Sequence, residues 1–350
     1  RDGAFVTTPA MGAAGTRVAC ASCPTDSKSP PFNPRRNNSL VVCGEGLIAA
    51  AGNGDLWRVR RSLSSGVPVD YAGEAGWTAL IYGAMYGRVQ IVRYLIEFGR
   101  ANVNRRDKYG NTALILAARR NHLDTVRVLA SCGANVNIPT TNGDTALTFA
   151  AWKNNVDVVR YLVEYGKAAI NAQTKRGDTA LSAAAYHNHL KTVRYLTEVR
   201  AAVDCKCGDK GETALTYAAA RSHIQIVRYL VEDGNADYEM RDLRGNTPLH
   251  AAAADNHVEV LEYLIDSGVH PCSRGQDLKT AREVALENKH YSSADFLLEH
   301  ELKVFKRGLE RDFIALKMLH LEVLVALGVR EKKEVTVTSE TSFLMGLSES

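Results

Sequence analysis

The chain has 350 residues, 45% apolar, 23% charged and 7% aromatic, with a formal net charge of +4, too small for its length to point to one class of partner. No run of eighteen apolar residues exists, and MLHLEVLVALGV (318–329) is interrupted by His320 and Glu322, so no membrane-spanning helix is expected. Seven cysteines, odd in number and irregularly spaced, suit a reducing cytoplasmic or nuclear setting better than a secreted disulfide scaffold.

Residues 1–44 are rich in Pro, Ser, Ala, Thr and Asn and carry little apolar periodicity. They are expected to be disordered. A chain that opens on Arg1 reads as a fragment, a processed chain, or a reading frame whose start lies within it. If translation begins at Met11, MGAAGT fits the N-myristoylation pattern on Gly12, with Cys20 and Cys23 as further acylation candidates. Membrane association is expected only in that acylated form, because one acyl chain anchors weakly.

From residue 45 the chain becomes periodic. GWTAL stands at Gly76, GNTAL at Gly110, GDTAL at Gly143 and Gly177, GETAL at Gly211 and GNTPL at Gly245, at spacings of 34, 33, 34, 34 and 34. Each motif precedes an Ala-rich segment, a polar turn and a V-R-Y-L-like segment. Such a period marks a solenoid of supersecondary units, none of which buries its own apolar face.

The Gly before each x-Thr suits a turn with positive φ, and the Thr hydroxyl suits a helix cap. Pro248 suits a first helical position. Ala117–Ala118, Ala150–Ala151 and Ala218–Ala219 allow close helix approach. Gly87, Asn121, Asn154, Asn188, Ser222 and Asn256 are expected to end the first helices in the left-handed conformation. Second helices with apolar spacing, such as Val89, Val92, Leu95 and Ile96, are expected to stop at Gly99, Gly133, Gly166, Gly234 and Gly268. In three of the 34-residue units the extra residue follows that Gly. In the fourth, Arg200 replaces the Gly and CKCGDKG (205–211) is expected to form a longer finger.

These residues resemble the ankyrin repeat family, whose signature is T-P-L-H-x-A at a period of about 33 residues. Thr247, Pro248, Leu249, His250 and Ala252 match it in full; the other units keep Thr, Leu and an Ala. The resemblance covers residues 45–300 in about eight units and implies an all-α solenoid of stacked helix–turn–helix units with projecting β-turn or hairpin fingers. Units 45–72 and 275–300 are eroded, as end units facing water are. Residues 301–328 are expected to cap the last repeat or dock elsewhere, with a bend at Gly308 and Phe313, Leu316, Leu319 and Leu324 as the covering side chains. The tail 329–350 is expected to be mobile.

The resemblance also implies a concave face lined by fingers and first helices. Carried over column by column, the partner-binding candidates are Trp77, Met85, Tyr86, Tyr109, Arg119, Arg120, Trp152, Lys153, Arg176, Tyr186, His187, Arg221 and Arg244. Asn111 and Asp178 belong to the same finger surface. Trp, Tyr and Arg dominate interface hot spots, and an exposed Trp152 beside Tyr186 has little structural purpose. The expected partner is a protein, engaged through an acidic or aromatic segment in the central groove. The protein is expected to be monomeric.

His187 and His189 form a His-x-His pair. His189 shares a column with His122, His223 and His257 and reads as a turn residue bonding to backbone; His187 stands in a variable surface column. Residues two apart on a helix do not face each other, so no chelation is expected. Arg93, Arg160, Arg194 and Arg228 each precede a Glu by four residues, which reads as surface ion pairing rather than a nucleic-acid stripe. No phosphate-binding loop, zinc-protease or kinase motif occurs, HELKV (300–304) lacks a second His, and Cys20-x-x-Cys23 lacks a fourth ligand. No cofactor or metal is expected, and Cys205 and Cys207 read as free thiols.

The sequence therefore predicts a non-enzymatic scaffold or adaptor for protein–protein interaction. Two alternatives stand beside it: the regulatory part of a larger enzyme such as a kinase, and a lipid-anchored adaptor.

Overall fold

A computed structural model describes residues 44–275 and 278–326, with side chains to 319. Gly12, Cys20, Cys23 and Leu324 lie outside the described residues or side chains. The described chain forms sixteen helices in eight pairs. The first pairs are α1 (Gly44–Asn53) with α2 (Leu56–Ser64), α3 (Ala79–Met85) with α4 (Val89–Glu97), and α5 (Ala113–Arg119) with α6 (Leu123–Ser131). The central pairs are α7 (Ala146–Trp152) with α8 (Val156–Glu164) and α9 (Ala180–Tyr186) with α10 (Leu190–Glu198). Then come α11 (Ala214–Ala220) with α12 (Ile224–Glu232), α13 (Pro248–Ala254) with α14 (Val258–Asp266), and α15 (Ala281–Glu287) with α16 (Tyr291–Ala326).

The local rules written in each motif are met. The hydroxyls of Thr78, Thr112, Thr145, Thr179, Thr213 and Thr280 accept the backbone N–H three residues on at 3.2–3.3 Å. In the unit with the full signature the Thr247 hydroxyl lies 2.9 Å from His250 Nδ1, and Pro248 opens α13. Asn121, Asn154, Asn188, Ser222 and Asn256 end their helices at φ of 58–62°. Ala117, Ala118, Ala150, Ala151, Ala218 and Ala219 are fully buried, so neighbouring first helices meet over methyl groups. Leu114, Leu147, Leu181, Leu215 and Leu249 continue one core from unit to unit.

The helix-ending glycines act in two ways. Gly133 and Gly268 take positive φ themselves, 86° and 103°. In the longer units the extra residue does so instead: Arg100, Lys167 and Asn235 stand at 49–54°. There Gly99, Gly166 and Gly234 are needed for room, because a Cβ would lie 2.7–2.8 Å from the carbonyl oxygen of Leu95, Leu162 or Leu230.

The fingers are turns closed by backbone bonds such as Asp107 N to Asn111 O and Thr174 N to Asp178 O, both 2.9 Å. The Asp107 carboxylate fixes its finger by accepting from Tyr109 N and Asn111 N at 2.8 and 2.7 Å. Cys207 stands where Asp107 stands, and its finger is longer as expected: Cys207 N donates to Glu212 O at 2.7 Å, with Gly208 and Gly211 both at positive φ. Fingers are joined by Lys108 N to Ala75 O, Thr141 N to Tyr109 O, Lys175 N to Asn142 O and Leu243 N to Lys210 O, at 2.8–3.1 Å. Among the described backbone bonds, none joins the finger at Gly177 to that at Gly211. The Arg176–Asp209 ion pair, at 3.6 Å, spans this gap.

One expectation about the outer helices is corrected. Arg93 pairs with Glu97 at 3.4 Å, but Arg160, Arg194 and Arg228 have no such pair among the described residues. They lie over the rings of Tyr195, Tyr229 and Tyr263 in the next unit, 4.6–5.3 Å from the centroids. Glu164 and Glu232 instead accept the hydroxyls of Tyr195 and Tyr263 at 3.2 and 3.0 Å. The stack from unit to unit offers each guanidinium an aromatic face that spacing within one helix does not reveal. α16 is continuous through Gly308, from Tyr291 to Ala326. Phe313, Leu316 and Leu319 are exposed.

Candidate functional site

The column that ends each first helix is fixed from the following unit. His122 Nε2 lies 3.0 Å from Met85 O, His189 Nε2 2.9 Å from Trp152 O, His223 Nε2 3.1 Å from Tyr186 O, and His257 Nε2 3.1 Å from Ala220 O. In the unit without that His, Asn155 Nδ2 donates to Ala118 O at 2.7 Å. The turn histidines therefore bond to backbone as expected, but to carbonyls 37 residues back rather than to their own turn. This locks the backbone beneath Trp152 and Tyr186 and leaves their side chains to face the fingers.

There they line a cleft of about 320 Å³. Phe149, Trp152, Tyr186 and Tyr217 form its aromatic walls, and Lys175, Arg176 and Asp178 of one finger border it. The rings meet edge-on or tilted: Tyr186 and Tyr217 are 5.5 Å apart, and Phe149 and Trp152 are 6.1 Å apart. Cations of the same chain lie over three of these rings. Arg119 is 5.6 Å from Phe149 and 5.8 Å from Trp152, Lys153 is 4.3 Å from Trp152, and Arg221 is 4.1 Å from Tyr186. At the cleft floor the Tyr217 hydroxyl donates to Asp178 at 3.3 Å. Burial raises the Asp178 carboxyl, against the lowering effects of that bond and of Arg176. Burial, together with Asp178 and Glu212, raises the Tyr217 hydroxyl.

Trp152 departs from its expected exposure. It is half-buried, and its indole N–H donates to His187 Nε2. His187 in turn stands edge-on to Tyr186 at 4.9 Å and stacks on His189 at 5.9 Å. The rule against facing residues two apart fails here because the two histidines flank Asn188, whose positive φ turns the chain between helices. Burial first, then the neighbouring His189 and Lys153, lowers His187 to about 4. Among the described residues, no group of three or more His, Cys, Asp or Glu is placed to hold a metal ion.

Of the candidates, Trp152, Arg176, Tyr186 and His187 line one cleft, and Arg119, Lys153 and Arg221 cover its rings. Met85 does not belong to a surface: it is 9% exposed and lies in the core. Trp77 is half-buried against Tyr82, at 4.9 Å, and its indole N–H is buried without a partner. Asn111 is buried and donates to Asp107 at 2.8 Å. Tyr86, Arg120 and Arg244 are exposed and Tyr109 half-buried, all outside the cleft.

Sequence reasoning missed Phe149 and Tyr217. The signal was present in their column, which reads Tyr82, Leu116, Phe149, Ala183, Tyr217 and Ala251. Ala183, a small residue between two large ones, lines the cleft and leaves room for it.

A stack of helix pairs with turn fingers and an aromatic cleft is a repeat solenoid. The family model described as ankyrin repeats (3 copies) matches residues 47–140, 133–207, 165–242, 198–275 and 236–307, and the chain belongs to the ankyrin repeat family. It is also similar to the rat protein "Glutaminase liver isoform, mitochondrial", 34% identical over 103 residues, which are 28% of this chain and 17% of that one. The mouse protein of the same name is 33% identical over an equal stretch. The chain spans 17% of the length of these curated relatives.

Proposed function

We propose that the chain is a non-catalytic scaffold or adaptor that holds an acidic segment of a protein partner, anchored by an aromatic or apolar side chain, in the cleft at Trp152 and Tyr186. Ankyrin repeats serve protein interaction, and this family membership supports the coarser reading. The observation that carries the finer one is the set of aromatic walls under resident cations. Arg119, Lys153 and Arg221 stand where a partner carboxylate would be met, while the space between Phe149, Trp152 and Tyr217 takes a side chain. Nucleic acid is a poor occupant, because the arginines of the second helices are engaged with tyrosine rings.

The test is selection from a displayed library of acidic and aromatic peptides, followed by Trp152→Ala and Tyr186→Ala. Binding should fall by about tenfold or more at a hot-spot aromatic. Peptides that bind both variants as well as the unaltered chain sink the reading.

The stretch shared with two proteins named as glutaminases favours a second reading, that this array is the regulatory region of a longer enzyme. The complete reading frame decides it: a frame that encodes no catalytic domain removes this alternative. A cytoplasmic or nuclear setting is proposed from the irregular cysteines, whereas the relatives carry "mitochondrial" in their names. Imaging of a tagged chain separates these. The lipid-anchored form rests on Gly12, and mass analysis showing an unmodified Gly12 or an upstream N-terminus ends it.

A further inference from the structure

The finger that ends at Gly211 carries two thiols to which the cleft as described gives no role. Cys205 and Cys207 are two apart on an extended segment, where alternate side chains leave the same face of the chain. The Cys207 thiol donates to the Cys205 carbonyl oxygen at 3.2 Å, so its sulfur lies beside the residue that carries the other one. The two differ in access. Cys205 is half-buried, and its Sγ accepts a hydrogen bond from Gln173 Nε2 at 3.0 Å. Cys207 is buried. A reagent from solution therefore meets Cys205 first.

The buried thiol is seated against the cleft. Its sulfur lies 3.9 Å from the hydroxyl of Thr179, which caps α9, and it is hydrogen-bonded also to Ser182 of that helix. Thr179 and Ser182 both line the cleft. The next residue, Gly208, approaches a cleft wall so closely that a Cβ there would lie 2.3 Å from the Tyr217 hydroxyl. That hydroxyl is the one that donates to Asp178 at 3.3 Å. The finger is also loosely tied to the one before it. In place of a backbone bond to the finger at Gly177 it has the Arg176–Asp209 ion pair, at 3.6 Å, and the bond from Gln173. On its other side Leu243 N donates to Lys210 O at 2.8 Å, so the far edge stays anchored.

We propose that Cys205 and Cys207 form a thiol–disulfide switch that takes a small disulfide, such as oxidised glutathione, as its oxidant, and that the closed bridge weakens binding in the cleft. The regulation rests on the reading of the cleft given above; the bridge itself does not. Cys205 loses its proton to solvent and attacks one sulfur of the oxidant. A bond forms between Cys205 Sγ and that sulfur, the S–S bond of the oxidant breaks, and one glutathione leaves and takes up a proton. Cys207 then loses its proton and attacks Cys205 Sγ, and the second glutathione leaves as a thiol. Two protein thiols are oxidised and one small disulfide is reduced to two thiols, with no other reactant. To close, the Cys207 sulfur leaves Thr179 and Ser182, and Cys205 leaves Gln173. A bridge across the single residue Lys206 also tightens the chain there and draws Gly208 away from Tyr217. A bridge that gives up these bonds is readily reduced, which suits a reversible switch in a reducing setting.

The experiment titrates the full 350-residue chain with mixtures of oxidised and reduced glutathione. Peptide mass mapping should show a bridge between Cys205 and Cys207, two hydrogen atoms lighter than the dithiol, which reduced glutathione reopens. Cys207→Ser should instead retain glutathione on Cys205. Oxidation should shift the NMR signals of the Tyr217 ring and weaken the binding of peptides selected for the cleft by about tenfold. Cys205→Ser should show neither change. Absence of the bridge at every glutathione ratio overturns the proposal, as does a bridge that leaves the Tyr217 signals or peptide binding unmoved. Changes of equal size in Cys205→Ser overturn it too. Peptides that fail to bind even the reduced chain sink the cleft reading and the regulation with it, whereas the bridge is read by mass and by the Tyr217 ring without any ligand.

Discussion

Protonation of His187 is expected to destabilise the array, and the size follows from its surroundings. The ring is half-buried, accepts the Trp152 indole N–H at Nε2, and lies beside His189 and Lys153. A proton on Nε2 breaks the indole bond and adds a cation near Lys153. The folded value of about 4 is below the unfolded value of 6.5. A depressed value means that the folded state favours the neutral ring. Its stabilising contribution is therefore complete above pH 6.5 and is lost as the pH falls through about 4. The shift corresponds to about 3 kcal/mol without discount. Solvent screening of a partly exposed ring reduces this to about 1–2 kcal/mol. His187→Gln keeps an acceptor for the indole and removes the titration. Urea unfolding at about pH 7 and about pH 4.5 should show the unaltered chain losing about 1–2 kcal/mol more than the variant. Losses of the same size in both proteins, or an NMR titration of the His187 ring near its ordinary value, would refute the reasoning.

Other expectations follow from single contacts. Asn121, at φ 62°, should tolerate Gly, whereas Asn121→Ala should cost about 1 kcal/mol in thermal unfolding. Arg160→Ala should cost about 0.5–1 kcal/mol through loss of its contact 4.6 Å from the Tyr195 ring. Arg160→Lys should recover only part, as the planar guanidinium stacks better. Cys207 is buried and pushed up to about 11, whereas Cys205 is partly exposed, so alkylation followed by mass spectrometry should mark Cys205 well before Cys207.

What was legible in the sequence was whatever a unit does within itself. Thr at the cap, Asn or Gly at the turn, and Ala where helices meet act over three or four residues, and each recurs in register. What was not legible joins one unit to the next. The hydrogen bond from His189 reaches 37 residues back to the Trp152 carbonyl, and Arg160 lies over a ring 35 residues ahead. Spacing inside one helix suggested Glu164 for Arg160, but the stack offered Tyr195. Met85 was misplaced because its column holds Arg119 and Trp152 elsewhere, and a column average hides one buried member. Trp152, Arg176, Tyr186 and His187 stand together in one cleft, while the space between Phe149 and Tyr217 is set by Ala183 of the intervening unit and is not visible from either unit alone.

The cleft lies where the repeat departs from its own symmetry. A solenoid of identical units would present the same shallow groove at every interval. Here Ala183 stands between the large Phe149 and Tyr217 of its column, and the finger after Cys205 gains a residue. Both changes flank the same unit. The first removes side-chain volume between Phe149 and Tyr217. The second replaces the backbone bond between adjacent fingers by the Arg176–Asp209 ion pair, next to Asp178 and Tyr217. The cleft walls nevertheless stay fixed, because His189 and His223 hold the carbonyls of Trp152 and Tyr186. Regular contacts thus preorganise the rings, and irregular ones open the space between them. A chain under selection only for stacking has no reason to place two irregularities at one interval, and their coincidence is the physical argument for reading this interval as the binding site.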